Sequence, residues 1–171
     1  IVLNSIRSFN IKWKSEFGNL VIATDGLSCW RKKIFPYYKA TRKKTRDSSK
    51  YDWKSIFEIM NKIKNELKDF FPYPVIYLDE AEADDIIATL VNSFGNEKIL
   101  IISGDKDFIQ LHDKGEIIQY DPVRKRIISH LSPSKYLKEH IIRGDAGDGI
   151  PNILTNDTSF IKGERQKRLS T

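Results

Sequence analysis

The chain has 171 residues, with 29 Lys and Arg against 23 Asp and Glu, a net charge of +6 and one cysteine. That length fits one ordinary domain with room for a small appendage, and an apolar share of 40% excludes a disordered chain. The longest apolar runs, such as Ile99-Leu100-Ile101-Ile102, are too short to span a membrane. Cys29 alone excludes a disulfide framework and a cysteine zinc site, and points to a reducing, cytoplasmic setting. The chain opens mid-pattern on Ile1-Val2-Leu3 without an initiator Met and reads as a fragment.

Val2, Ile6, Phe9 and Trp13 fall at helical spacing, and Gly18-Asn19 breaks that stripe. Leu20-Val21-Ile22-Ala23 reads as a short buried strand ending at Asp25-Gly26. Residues 27–50 show no sustained periodicity and are rich in Lys, Arg, Ser and Thr, which predicts a mobile excursion. Asp52 can cap a long helix that carries Trp53, Ile56, Phe57, Met60, Ile63, Leu67 and Phe70 on one side, a core stripe, until Pro72 and Pro74 end it. Val75-Ile76-Tyr77-Leu78 is a second strand, followed by an acidic turn and a helix from about Ala83 to Phe94. Residues 98–103 make a third strand and residues 105–112 a short helix. Residues 116–120 and 126–130 read as a strand pair across Pro122, and Ser132-Pro133 opens a helix that runs to about Arg143.

Strand–helix alternation with apolar strands predicts an α/β domain with a mostly parallel sheet flanked by helices. Such sheets bind ligands beyond the carboxyl ends of their strands. Here acids follow each strand: Asp25 after the first, five acids within Asp79 to Asp85 after the second, Asp105 and Asp107 after the third. So many carboxylates in one crevice raise each other's pKa, and divalent cations relieve the conflict. Oxygen ligands without His or Cys favour Mg²⁺ or Mn²⁺ over Zn²⁺. A pair of such ions is the clamp many nucleases use for phosphodiester attack. The three histidines, His112, His130 and His140, show no metal spacing.

Charge is segregated. Residues 31–46 hold eight basic residues and no acid, interleaved with Phe35, Tyr37 and Tyr38 and preceded by Trp30. Bases stack on such rings while Lys and Arg grip phosphates. Each feature has a plainer competitor. Asp25 can be a turn former before Gly26, and residues 80–85 can be an acidic first helical turn. Residues 103–108 can be a capped turn, residues 144–151 an ordinary Asp/Gly loop, and the basic run a solvated face. Convergence favours the metal reading for the carboxylates.

Four segments in order resemble the flap-endonuclease family of structure-specific 5′ nucleases. They are Arg31 through Tyr38-Lys39-Ala40-Thr41-Arg42, Glu82-Ala83-Asp84-Asp85, Ser103-Gly104-Asp105-Lys106-Asp107-Phe108-Ile109-Gln110-Leu111, and Gly144-Asp145-Ala146-Gly147-Asp148-Gly149-Ile150-Pro151. Trp30-Arg31, Tyr37-Tyr38-Lys39, Asp52-Trp53 and Gly163-Glu164-Arg165 look closest to phage members. The resemblance implies a PIN-like core over residues 1–140 with a basic helical arch at about 29–50, and a truncated helix-three-turn-helix DNA-binding segment over 141–171. It implies two Mg²⁺ ions, replaceable by Mn²⁺. Asp25, Glu82 and Asp84 would match one metal site and Asp105, Asp107, Asp145 and Asp148 the second, with Asp85 between them. Lys39 and Arg42 would match the arch residues that handle the scissile phosphate, completing a catalytic set with Asp25, Asp84 and Asp105. Arg31, Lys32, Tyr38, Lys43, Lys44, Gly144, Gly147 and Gly149 would contact DNA.

The implied activity is 5′-3′ exonuclease or flap-endonuclease cleavage, with ribonuclease H-type removal of RNA primers during replication. Its substrates are flapped, nicked or primer-bearing duplexes and RNA–DNA hybrids. A monomer is expected, with a single-strand-binding protein or sliding clamp as candidate partners. The family's first strand, carrying a further metal-binding Asp, would precede Ile1, and the C-terminal part would follow Thr171. Gly149 stands where Asn is common in the family. Two other classes remain open: a non-catalytic DNA-binding module, and a small PIN-type ribonuclease, which has no need of the arch or the Gly144–Pro151 loop.

Overall fold

The computed structural model describes residues 2–169. Helix α1 (Val2–Phe17) leads through Gly18 into β1 (Ile22–Thr24), which pairs in parallel with β2 (Val75–Tyr77), Ile22 facing Val75 and Thr24 facing Tyr77. Between those strands lie α2 (Arg31–Ile34), α3 (Thr41–Asp47) and α4 (Trp53–Phe70). After β2 come α5 (Ala83–Ser93), β3 (Ile99–Ile102), a 3₁₀ turn (Lys106–Leu111), β4 (Ile117–Asp121), β5 (Arg126–Ile128) and α6 (Pro133–Arg143). β3 and β4 are parallel, Ile99 facing Ile117; β4 and β5 are antiparallel, Tyr120 facing Ile127.

The expected strands and helices are present, but among the described residues they form two hydrogen-bonded sheets rather than one. Helix α5 joins them. It packs on β1 and β2, and its Val91 meets Ile101, Phe108 and Leu111 in the main core, with Ile87, Ala88, Ile99 and Ile117 around them. α1 covers the far side of β4, where Phe9 and Trp13 meet Tyr120 edge-on. Asp52 caps α4 as expected, its carboxylate accepting from Ser55 N–H and Oγ–H.

Three expectations change. Residues 27–50 are not a free excursion: α2 and α3 form, and Tyr38 is buried against the acidic centre. The cause is charge, because Arg31 and Lys39 find carboxylates of the next unit. The α4 stripe is core only at its end: Leu67 is buried, whereas Phe57 and Met60 are 47% and 61% exposed. α4 packs against β2, while the Trp53 ring at its start meets those of Tyr51 and Phe57. Finally, the described residues beyond Arg143 form turns, not the second helix of a helix-three-turn-helix. Asn152 holds that segment instead, its Nδ2–H donating to the Lys167 carbonyl and its Oδ1 accepting from Thr155. No helix among the described residues is long and apolar enough to cross a membrane.

Candidate metal centre

The loops that leave β1, β2 and β3 meet the loop that follows α6. Gly26 makes the first approach possible: its N–H donates to the Ala81 carbonyl at 2.7 Å, and a Cβ there would stand 2.4 Å from the Leu78 carbonyl. This closeness lets Asp25 Oδ1 accept the Ala83 N–H, 2.8 Å away, at the first turn of α5. Glu82 precedes that turn and Asp84 lies within it. Asp105 caps the 3₁₀ turn, its Oδ1 accepting from Asp107 N–H at 3.0 Å. Asp145 Oδ1 accepts from Gly147 N–H at 2.7 Å and from Asp148 N–H at 3.2 Å, while paired Asp145–Ile150 backbone hydrogen bonds close the loop.

These elements enclose a cavity of about 390 Å³ lined by Asp25, Lys39, Arg42, Glu82, Ala83, Asp84, Asp105, Asp107, Asp145, Gly147 and Asp148. Seven carboxylates thus face the cations Lys39 and Arg42. Lys39 Nζ donates to Glu82 Oε1 at 2.7 Å and lies 3.7 Å from Asp148. Arg42 pairs with the other oxygen of Asp148. Tyr38 Oη bridges the two, 2.7 Å from Glu82 and 3.0 Å from Asp148. Lys39 takes a left-handed backbone, φ 55°, held by its N–H on the Asp148 carbonyl at 2.7 Å.

The charge balance is uneven. Burial pushes Asp84 up to about 6, and the charge of Asp105, with smaller parts from Glu82 and Asp25, adds to that against the pull of Lys39. Asp107 is raised too, by burial and then by Asp105. Glu82 goes the other way: burial opposes ionisation, but hydrogen bonds from Lys39 and Tyr38 outweigh it and hold the carboxyl below its usual range. An under-compensated group of oxygen ligands fits a hard divalent cation.

The sequence-derived residues sort into several places. Asp25, Glu82, Asp84, Asp105, Asp107, Asp145 and Asp148 share the cavity with Lys39, Arg42 and Gly147. Asp85 turns away from it: its carboxylate takes both Arg31 guanidinium nitrogens at 2.8 Å and the Glu82 N–H at 2.9 Å. At the N-terminus of α5 that geometry is a cap, and it engages Arg31 as well. Lys32 and, on α3, Lys43 and Lys44 are exposed. Gly144 ends α6 at φ 67°, where a Cβ would run into the Ile150 and Pro151 backbone, and a Cβ on buried Gly149 would stand 3.1 Å from the Tyr37 carbonyl. Asp79 and Glu80 stay outside, with Tyr77 and Lys33.

His140 is not legible from the sequence as part of the site. Its Nε2 lies 3.3 Å from Asp107 and 3.9 Å from Asp145, and one ligand atom from each of the three falls within 4.8 Å of the others. The one signal is its place a turn before the end of α6, which aims it at the loop that follows.

The family model for the 5′-3′ exonuclease N-terminal resolvase-like domain matches residues 2–140. Ribonuclease H of Enterobacteria phage T4 is 37% identical over 182 residues, covering all of this chain and 59% of the phage protein. The fold matches a T5 protein co-crystallized with metal ions at TM-score 0.74 and 19% identity, covering 94% of this chain and 66% of that one. It also matches the T5 flap endonuclease in a pseudo-enzyme-product complex with DNA and metal ions, at TM-score 0.68 and 21% identity over 88% and 60%. The chain spans about three fifths of the T4 protein it resembles. It belongs to the 5′-3′ exonuclease family, as an N-terminal resolvase-like domain.

Proposed function

We infer that this chain forms the core of a divalent-metal-dependent 5′ nuclease that hydrolyses phosphodiester bonds in 5′ flaps and RNA primers on duplex DNA. The carrying observation is the convergence of seven carboxylates on one cavity bordered by Lys39 and Arg42. In this reading Asp25, Glu82 and Asp84 hold one Mg²⁺ or Mn²⁺ ion, and Asp105, Asp107, Asp145 and Asp148 the other. Such ions supply a lowered pKa for the attacking water and a counter-charge for the leaving oxygen. Lys39 and Arg42 hold the scissile phosphate, and Tyr38 keeps Glu82 and Asp148 at a fixed separation. Exposed Lys32, Lys43 and Lys44 grip the 5′ strand, with the Gly144–Pro151 loop on the duplex side. The T4 relative's name and the DNA and metal ions of the T5 complex support the same substrate and cofactor class.

The deciding test is Mg²⁺-dependent cleavage of a 5′-flap DNA by the protein, beside Asp105→Asn. Cleavage abolished by Asp105→Asn is expected. Flap binding that weakens steeply with salt but yields no product would replace this reading with a DNA-binding module. Preferential cleavage of single-stranded RNA would replace it with a PIN-type ribonuclease.

A further inference from the structure

Where β3 ends, the chain leaves the sheet. Ser103 N–H makes a ladder hydrogen bond to the Tyr120 carbonyl at 3.0 Å, after which the backbone turns through Gly104 to carry Asp105 and Asp107 toward the cavity. The Ser103 and Asp105 carbonyls of this turn are taken by one side chain from the neighbouring strand. Gln119, on β4, is fully buried, and its Nε2 donates to Ser103 O at 2.9 Å and to Asp105 O.

Two carbonyl acceptors fix which end of the Gln119 amide carries nitrogen. The Oε1 end therefore faces His112 Nε2, 3.0 Å away, and that nitrogen must carry hydrogen. His112 sits at the other end of the 3₁₀ turn, its backbone N–H on the Ile109 carbonyl. One amide thus ties the entry of the Asp105–Asp107 segment to its exit. Asp121, two residues along the same face of β4, backs the turn from beneath: its carboxylate is 3.2 Å from where a Cβ on Gly104 would stand.

We propose that Gln119, steered by His112, is a positioning residue for the metal-binding carboxylates Asp105 and Asp107. This rests on reading the cavity as a metal centre. Fixing the Asp105 carbonyl fixes the Asp105–Lys106 peptide plane directly after Asp105, and the Asp105 carboxylate in turn holds the Asp107 N–H. The brace sets where both carboxylates point before any ion arrives, and neither Gln119 nor His112 lines the cavity itself. Removing a partner behind a ligating group commonly costs about 10- to 100-fold in metal affinity.

The test is Mn²⁺ binding to this chain, followed by the loss of the free-ion EPR signal, with melting temperature recorded for every variant. Gln119→Leu is expected to fold and to bind Mn²⁺ about 10- to 100-fold more weakly. His112→Phe, which fills the space without donating, is expected to weaken binding less. His112→Gln, which returns a donor, is expected to restore it. A loss confined to melting temperature, with Mn²⁺ affinity unchanged in Gln119→Leu, overturns the proposal. If Gln119→Leu does not fold, His112→Phe decides alone, and unchanged affinity there overturns it. Asp107→Asn separates the two readings: a wild-type chain that binds no Mn²⁺, or binds it undiminished in Asp107→Asn, overturns the metal assignment itself.

Discussion

The Lys39 ammonium lies 2.7 Å from Oε1 of Glu82, so a cation from the basic segment sits among the carboxylates that follow β1, β2 and β3. Both side chains are mostly buried, at 18% and 14% exposure, so the pair is not an ordinary surface ion pair. Lys39→Ala removes a charged hydrogen bond of about 1–3 kcal/mol. Glu82 has its folded pKa lowered, so this stability is present above the unfolded pKa and is lost as pH falls through the folded one. Thermal unfolding without divalent ions is expected to show Lys39→Ala well below wild type at pH 7, the gap closing as pH falls below about 4. A gap that is constant with pH would contradict the pairing.

Asp84 has the opposite sign. Its carboxyl is pushed up to about 6, so the folded state binds more protons than the unfolded one, and stability declines as pH rises from about 4 to 6. Asp84→Asn removes that penalty, about 1 kcal/mol after discounting for solvent screening. At neutral pH without divalent ions its melting temperature is expected to rise by about 2–4 °C. With Mg²⁺ added, wild type is expected to gain more than Asp84→Asn, because binding to the folded state stabilises it by mass action. Scanning calorimetry with and without Mg²⁺ checks both signs.

Much of this arrangement is written in local pattern. Asp25 and Asp84 follow the parallel pair β1 and β2, which places them at one end, so their meeting is deducible, whereas Asp105 follows β3 in the other sheet and pairing does not place it there. The place of Asp85 is not, because its partner Arg31 stands 54 positions away and sequence spacing does not show whether an acid caps a helix or lines a cavity. The same distance hides the anchoring of residues 31–47, whose helices are short and lean on carboxylates rather than on an apolar stripe. For α4 the periodicity is real but its burial is not, because a stripe states which face is apolar and not what covers it. His140 escapes the sequence because its neighbour Asp107 lies on the 3₁₀ turn after β3, and only the fold brings it beside Asp145.

Gly26 has no room for a side chain. A Cβ would lie 2.4 Å from the Leu78 carbonyl and 2.8 Å from that of Ala81, both backbone atoms that cannot swing aside. Gly26→Ala is expected to cost about 1–3 kcal/mol in urea unfolding, as an overpacked site does. It should also push Asp25 off the first turn of α5, which a weaker Mn²⁺ affinity in the folded variant would register. Unchanged stability would show that the two loops are not held this close.

Helix α4 offers a comparison within one element. Leu67 is 4% exposed, so Leu67→Ala is expected to lose about 2–5 kcal/mol. Met60, 61% exposed on the same helix, is expected to accept Ser within about 0.5 kcal/mol. Equal losses at the two positions in chemical denaturation would mean that the first turns of α4 are covered.

The basic segment divides by partner. Arg31 gives both guanidinium nitrogens to Asp85 and also reaches Glu82, so it is spoken for within the protein. Lys43 and Lys44 are exposed on α3. Lys43→Ala and Lys44→Ala are therefore expected to weaken flap-DNA binding at all sequences, with the melting temperature unmoved. Each is expected to reduce the salt slope by up to about 0.9 for every phosphate the lysine no longer neutralises. Arg31→Ala is expected to do the reverse, lowering the melting temperature because Asp85 and Glu82 lose a half-buried counter-charge, while changing the salt slope little. Binding isotherms at several salt concentrations, beside thermal melts, distinguish the two kinds of residue. A large salt-slope change in Arg31→Ala would mean that DNA draws the arginine away from α5.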